Sequence, residues 1–291
     1  MIEAISLILS LILTHYIAKA MMKAGIAGRD VHKPYEVFVP EMGGLAIVFS
    51  ILLVGLLTRS PGFILIVFAL VSMVGILDDL SNLPQSHKVI LSALATFPIM
   101  LWVKREYVSL GEVKLYLGLI TPIVFWLYTI ASANLVNMLA GFNGLEVGTS
   151  AIIFFFLYLM SGSKLSLIAF LASLGFLWWN KYPAKVFPGD TGTLSLGALM
   201  ALIAIENHLE LPLAVMLIPH AIDFMLKIRV KFKGKQIGRT KVREDGTLTP
   251  PPYLSFLGLI MRVKKVKEWE LVLYVWGIEI ILGIIGLSLL A

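Results

Sequence analysis

Ten apolar runs, separated by short polar stretches, occupy almost the whole chain: residues 3–24, 43–58, 62–77, 88–103, 116–133, 147–160, 164–179, 193–207, 211–228 and 270–290. Most approach the roughly 20 residues needed to cross about 30 Å of hydrocarbon as helix. They are too long and too uniformly apolar for barrel strands, and a span in lipid must satisfy its own backbone hydrogen bonds. The pattern therefore predicts an all-α polytopic integral membrane protein of about ten transmembrane helices, forming a single domain over residues 1–291. The first run, ISLILSLILTHYIAKA, has no basic leader and no small-residue cleavage site, so it is read as a retained span.

Composition strengthens that reading. The 291 residues are 58% hydrophobic and only 14% charged, and the mean hydropathy is +0.90, well beyond soluble proteins. Cysteine is absent, which excludes disulfides and thiol chemistry. Ten spans would place the segments 25–43, 78–88, 134–146, 180–192 and 227–270 on one membrane face, and these hold nearly all the unusual polar residues. The last carries Lys227, Arg229, Lys231, Lys233, Lys235, Arg239, Lys241, Arg243, Arg262, Lys264, Lys265 and Lys267; the opposite face has Arg59, Lys104, Arg105, Lys114 and Lys164. The positive-inside rule then makes the rich face cytoplasmic and leaves both termini outside. The net charge of +6 requires no nucleic acid. A basic loop at a membrane suits anionic headgroups or an anionic substrate.

Three of the rich segments carry candidate chemistry. GILDDLSNLPQSHK sets Asp78 and Asp79 side by side at the end of an apolar run. Adjacent carboxylates repel unless solvent or a cation compensates them, and Lys88 or a divalent ion could do so; plain end-of-span residues are the other reading. NLVNMLAGFNGLE puts Asn134 and Asn137 on one helix face, with Asn143 in a turn permitted by Gly141 and Gly144. In VFPGDTGTLSLG, Asp190 follows Pro188 and Gly189 at a helix start, as a cap or as an oxygen ligand for Mg²⁺. Phe187 beside it serves as an interface anchor or as a platform for a flat base. Oxygens from Asp78, Asp79, Asn137 and Asp190 beside the ammonium of Lys88 suit magnesium-assisted phosphate chemistry. A transporter would more naturally hold its acids at midplane on interrupted helices.

These motifs, in this order, resemble the polyprenyl-phosphate N-acetylhexosamine-1-phosphate transferase family. The first rich segment, GRDVHKPYEVFVPEMGG, also resembles that family's first cytoplasmic loop, and the likeness runs from about residue 25 to the final helix. NMLAGFNGLEVG looks most like the archaeal and eukaryotic branch, which uses UDP-N-acetylglucosamine and dolichyl phosphate. The muramyl-peptide branch usually has an aspartate there and a histidine triplet near the last loop, whereas IPHAIDFMLK holds only His220. KGKQIGRTKVREDGTLTP lacks the eukaryotic histidine flanked by arginines.

The resemblance implies transfer of N-acetylglucosamine-1-phosphate to dolichyl or another polyprenyl phosphate, with release of UMP, as a first lipid-linked step of N-glycosylation. It implies Mg²⁺, with Mn²⁺ as a substitute, held by Asn137 and Asp190, with Asp79 on the metal or on its waters. Asp78, Asp79, Lys88 and Asp190 form the implied catalytic set, Lys88 holding the attacking phosphate and Asp78 positioning it. Phe187 would stack on uracil, with Gly189 giving backbone access and Asn143 reading the nucleotide; Asn134 would be a further substrate contact, Glu41 would lie on the nucleotide side, and Arg239 and Arg243 would meet the diphosphate or sugar. A homodimer is a family expectation, as is the cell membrane of an archaeon or the endoplasmic reticulum membrane of a eukaryote. Related transferases using another UDP-sugar or lipid phosphate, and a nucleotide-sugar or lipid-phosphate transporter, are the alternatives. His15, His32, His87 and His208 stay outside the predicted site, as do Glu206, Glu210 and Glu279.

Overall fold

The computed structural model describes residues 2–33, 36–232 and 238–290. Thirteen α-helices among these residues dominate: α1 (Ile5–Lys23), α2 (Gly44–Leu57), α3 (Gly62–Ser81), α4 (Gln85–Thr96), α5 (Ile99–Trp102), α6 (Thr121–Met138), α7 (Leu145–Ser161), α8 (Lys164–Asn180), α9 (Gly189–Glu206), α10 (Glu210–Met216), α11 (Ile218–Ile228), α12 (Phe256–Val263) and α13 (Glu268–Ser288). Three antiparallel hairpins join them: β1 (Ala27–Arg29) with β2 (Phe38–Pro40), β3 (Tyr107–Leu110) with β4 (Val113–Tyr116), and β5 (Lys241–Val242) with β6 (Leu248–Thr249).

The expectation of an all-α bundle with about ten spans is corrected in two respects. The hairpins make the fold mostly rather than wholly helical. Only four helical segments among the described residues are long and apolar enough to cross a membrane: Ile2–Lys23, Gly62–Ser81, Gly118–Met138 and Glu268–Ser288. A fifth arises if α10 and α11, bent by 59° at Leu217, count as one span. The apolar helices α2, α7 and α8 have 14, 17 and 17 residues; at 1.5 Å per residue they reach only about 21–26 Å. The run 88–103 breaks at Pro98, between α4 and α5. Helix α9 is apolar because protein surrounds it, with every residue from Thr191 to Ile205 buried. A continuous apolar run reports an apolar environment and does not distinguish lipid from protein core. The alternation that placed both termini outside and the rich face in the cytoplasm falls with the span count. Integral-membrane character stands on the long apolar helices.

Helix α9 is the axis of the molecule and packs most extensively on α3 and α6. Glycines permit this. A Cβ on Gly75 of α3 would lie 2.5 Å from Thr191 Cα, one on Gly44 of α2 would lie 2.4 Å from Gly192 Cα, and one on Gly197 would lie 2.5 Å from the Ser132 carbonyl of α6. Backbones in contact bring the C-terminal end of α3 directly against the N-terminal end of α9. A smaller apolar cluster, including Leu139, Phe142, Leu257 and Leu271, sits beneath β5–β6 and α12 and ties the last polar segment to the end of α6.

Candidate active site

The acids at the end of α3 have different partners. Asp79 caps α9 from a neighbouring helix: its Oδ1 accepts from the Asp190 backbone N–H at 2.7 Å, and its Oδ2 accepts from Thr191 N–H at 3.0 Å and Thr191 Oγ1 at 2.6 Å. The first N–H groups of a helix have no internal partner, and their positive end favours a carboxylate. Gly189 makes room for this cap, since its φ is +66° and an added Cβ would lie 2.5 Å from Asp79 Oδ2. Asp78 is buried; its Oδ1 accepts from Leu83 N–H at 2.8 Å, just after the left-handed Asn82 that ends α3.

Lys88, in the first turn of α4, lies between two acids. Its Nζ is 2.5 Å from Asp78 Oδ2 and 2.5 Å from Asp190 Oδ2. Burial alone would lower its pKa, but the Asp190 charge and the bonds to Asp190 and Asp78 hold it above the ordinary lysine value. Burial likewise works against the Asp190 carboxylate, and contact with Asp78, the Lys88 charge and the Asn137 amide together hold its pKa below the ordinary value. Asn137, in the last turn of α6, also donates Nδ2–H to Thr193 Oγ1 at 2.8 Å. One carboxylate oxygen from each of Asp78, Asp79 and Asp190 lies within 4.8 Å of the others. Such a hard-oxygen set, with the Asn137 amide at its edge, fits a divalent cation.

Asp190 also lines a cavity of about 400 Å³. Of the predicted residues, Glu41, Asn137, Asn143, Phe187, Gly189 and Arg239 share its wall. Asp78, Asp79 and Lys88 stand behind Asp190 rather than on that wall. Asn134 is placed elsewhere, donating its amide to Ile130 O within its own helix at 2.8 Å. Arg243 is exposed in the β5–β6 hairpin and donates to Thr247 Oγ1 at 3.3 Å. Phe187 is half-buried and held on both sides: its N–H donates to Pro40 O at 2.9 Å, and its carbonyl accepts from Gly43 N–H at 2.9 Å.

A second charged network supports the far wall, and the sequence reading did not include it. Lys33 Nζ lies 3.1 Å from Asp30 Oδ2 and 2.8 Å from Glu268 Oε2. Asn143 donates its backbone N–H to Glu268 Oε1 at 2.9 Å and Nδ2–H to Asp30 Oδ2 at 3.0 Å. This draws the first polar segment, the 140–144 turn and the start of α13 together. Asn143 is thus partly spent on the scaffold. Asp30, His32 and Glu268 also have ligand atoms close enough to share an ion, and the Lys33 ammonium lies between Asp30 and Glu268 as Lys88 lies between Asp78 and Asp190. Glu268 is 235 residues from Lys33, so no spacing announced the pair; the only local signal was GRDVHK itself. Next to this network His32 stacks on Phe142, with centroids 4.3 Å apart and planes 4° from parallel. Burial is the main cause that lowers the His32 pKa to about 4, with Asp30 opposing and Lys33 and Arg239 adding to it.

Residues 62–208 match the family model described as glycosyl transferase family 4. The chain is 37% identical to a candidate glycosyltransferase of Methanocaldococcus jannaschii, over 97% of this chain and 94% of that protein. It is 32% identical to a candidate UDP-N-acetylglucosamine–dolichyl-phosphate N-acetylglucosaminephosphotransferase of Saccharolobus solfataricus, over 98% and 94%. It is 27% identical to a phospho-N-acetylmuramoyl-pentapeptide-transferase of Prochlorococcus marinus, over 98% and 88%. A match of this extent, with the acid pair, Asn137 and Asp190 all inside the matched region, makes the chain a member of glycosyl transferase family 4, the superfamily of polyprenyl-phosphate amino-sugar-1-phosphate transferases.

Proposed function

We propose that the protein transfers a sugar-1-phosphate from a UDP-sugar to a membrane polyprenyl phosphate, releasing UMP, and that its donor is UDP-N-acetylglucosamine and its acceptor dolichyl phosphate. The observation that carries the reaction type is the Lys88 ammonium held between Asp78 and Asp190 where Asp190 opens onto the cavity. The particular donor and acceptor are supported by the activity in the description of the Saccharolobus solfataricus relative. The muramoyl-pentapeptide transferase likeness makes another amino-sugar donor or polyprenyl phosphate the second reading.

The acceptor phosphate is mostly dianionic at neutral pH, with a second pKa near 6, so it needs orientation and charge compensation more than a base. Lys88 holds it. Asp78, anchored by Leu83 N–H, keeps Lys88 in place. Asp79 fixes the first turn of α9 and so aims Asp190. An oxygen of the acceptor phosphate attacks the phosphorus that carries the sugar; the new P–O bond forms as the bond to UMP breaks, and UMP leaves with the bridging oxygen and its electron pair. Asp190 and Asn137, with Asp79 behind, would hold a Mg²⁺ ion, which would supply charge compensation for a diphosphate. Phe187 offers a flat face for uracil. Arg239 faces the donor.

The test is UMP release by purified protein, coupled one-for-one to diphospholipid product, with UDP-N-acetylglucosamine competed by UDP-N-acetylgalactosamine, and with dolichyl and undecaprenyl phosphate compared. Release that depends on both lipid phosphate and Mg²⁺ supports the reaction. Equal use of every donor and acceptor would remove the specific pairing, and no UMP from folded protein with any pair would remove the reaction.

A further inference from the structure

His32 has no part in the transfer just described, yet it lies in the same cavity as Asp190. It is held on several sides. Phe142 covers one face of its ring, and its backbone N–H donates to Asp30 Oδ1 at 3.3 Å. The buried Asp30–Lys33–Glu268–Asn143 network fixes both segments that carry the stacked pair. A neutral imidazole carries one N–H donor and one acceptor nitrogen. An acceptor selects a ligand with a donor, and a diphosphate has none.

The rest of this wall has the same character. Asp30, Glu146 and Asn143 line it with carboxylate and amide oxygens, and Glu146 Oε1 already accepts from Gly141 N–H at 2.9 Å. Oxygens so placed favour hydroxyls or amide N–H groups over phosphate. Arg239 adds a cation close enough to act on the His32 ring. A nucleotide-sugar carries a flat base on its ribose at one side of the diphosphate and a polyhydroxylated sugar ring at the other. Phe187, next to Gly189 and Asp190, offers a flat surface suited to the base, while the edge of His32, its face already taken by Phe142, suits a polyhydroxylated ring.

We propose that His32 is a specificity-determining contact for the sugar of the nucleotide-sugar donor, accepting a hydrogen bond from a hydroxyl or amide N–H of that sugar, with Phe142 as its fixed support. This rests on the reading under Proposed function. Equilibrium binding of UMP, UDP and UDP-N-acetylglucosamine to full-length protein tests it, in wild type, His32→Phe, which keeps the stack without the acceptor, and His32→Gln, which restores one. The expected result for His32→Phe is a loss of about tenfold in affinity for UDP-N-acetylglucosamine with UMP and UDP unchanged, and partial recovery in His32→Gln; a site built around one hydrogen bond commonly discriminates by at least that much. Equal weakening of all three ligands would place His32 on the nucleotide side or in the scaffold and overturn the proposal, as would no change in any. Wild-type protein that binds UMP but no UDP-sugar would overturn the donor reading itself, whereas wild-type sugar preference that survives in His32→Phe overturns only the role of His32.

Discussion

Replacing Asp79 with asparagine separates a structural role from an ionic one. The carboxylate accepts three hydrogen bonds from the first turn of α9, from Asp190 N–H, Thr191 N–H and Thr191 Oγ1. An amide has one acceptor oxygen, so Asp79→Asn turns an NH₂ group toward at least one of these donors. Loss of a charge-assisted bond costs about 1.5–3 kcal/mol, and removing the negative charge from a helix N-terminus adds about 0.3–1 kcal/mol. We expect Asp79→Asn to destabilise the protein by about 2–4 kcal/mol, measured by thermal unfolding in detergent, to the same extent with and without Mg²⁺. UMP release should fall as well, because Asp190 N–H is one of the donors. A cycle with Thr191→Val should be non-additive, since both changes remove the same Oγ1 bond. Wild-type stability for Asp79→Asn, with activity recovered at higher Mg²⁺, would refute the capping argument and give Asp79 to the ion instead.

Three further outcomes follow from the geometry. Gly189→Ala places a Cβ 2.5 Å from Asp79 Oδ2 at a φ of +66°; turnover should drop at least tenfold, roughly the effect of 1.4 kcal/mol, and full activity would show that the cap tolerates displacement. Lys227 donates to Met138 O at 2.7 Å, one residue beyond Asn137, and pairs at 2.6 Å with Asp223, which is 0% exposed; Lys227→Met should cost about 3–5 kcal/mol by leaving a buried charge unpaired, and Lys227→Arg should restore most of it. The His32 pKa, held near 4 chiefly by burial, lies below the value of about 6.5 in an unfolded chain. Its contribution to stability is therefore complete above about pH 6.5 and is lost as pH falls towards 4, by on the order of 3 kcal/mol; a His32→Phe variant should show a shallower acid decline in unfolding temperature, and parallel curves would contradict the assignment.

The positions of the helices were legible because apolar runs and their breakers are local: Pro98 and Gly162 end helical stretches where they stand. The number of spans was not, since the buried α9 and the lipid-length α3 look alike in composition. Asp78, Lys88, Asn137 and Asp190 could be read as one group because each lies in a recognisable motif, and they do converge. Asp79 as an inter-helix cap was hidden, because its partners are 111 and 112 residues away and are mostly backbone. Arg239 and Arg243 look equivalent in sequence, four residues apart in a basic stretch, and only tertiary structure puts one on the cavity and the other in an exposed hairpin. Lys33 and Glu268 illustrate the general limit: an ion pair between the first polar segment and the last leaves no periodicity to detect.

The site has two kinds of wall: the glycine contacts of α9 with α2 and α3, which lie outside the cavity lining, and the side chains that line the cavity. Where Gly44 meets Gly192 and Gly75 meets Thr191, main chain touches main chain, and no side chain there can be enlarged without parting the helices that carry Asp78, Asp79 and Asp190. That side is a fixed template, closed to gradual variation. The cavity lining includes side chains on connecting segments, His32, Phe142, Asn143, Arg239 and Tyr253, where an exchange alters shape and polarity without moving the frame. A scaffold arranged this way can change what it recognises while keeping what it does, and redesign of its substrate range should begin on that second wall.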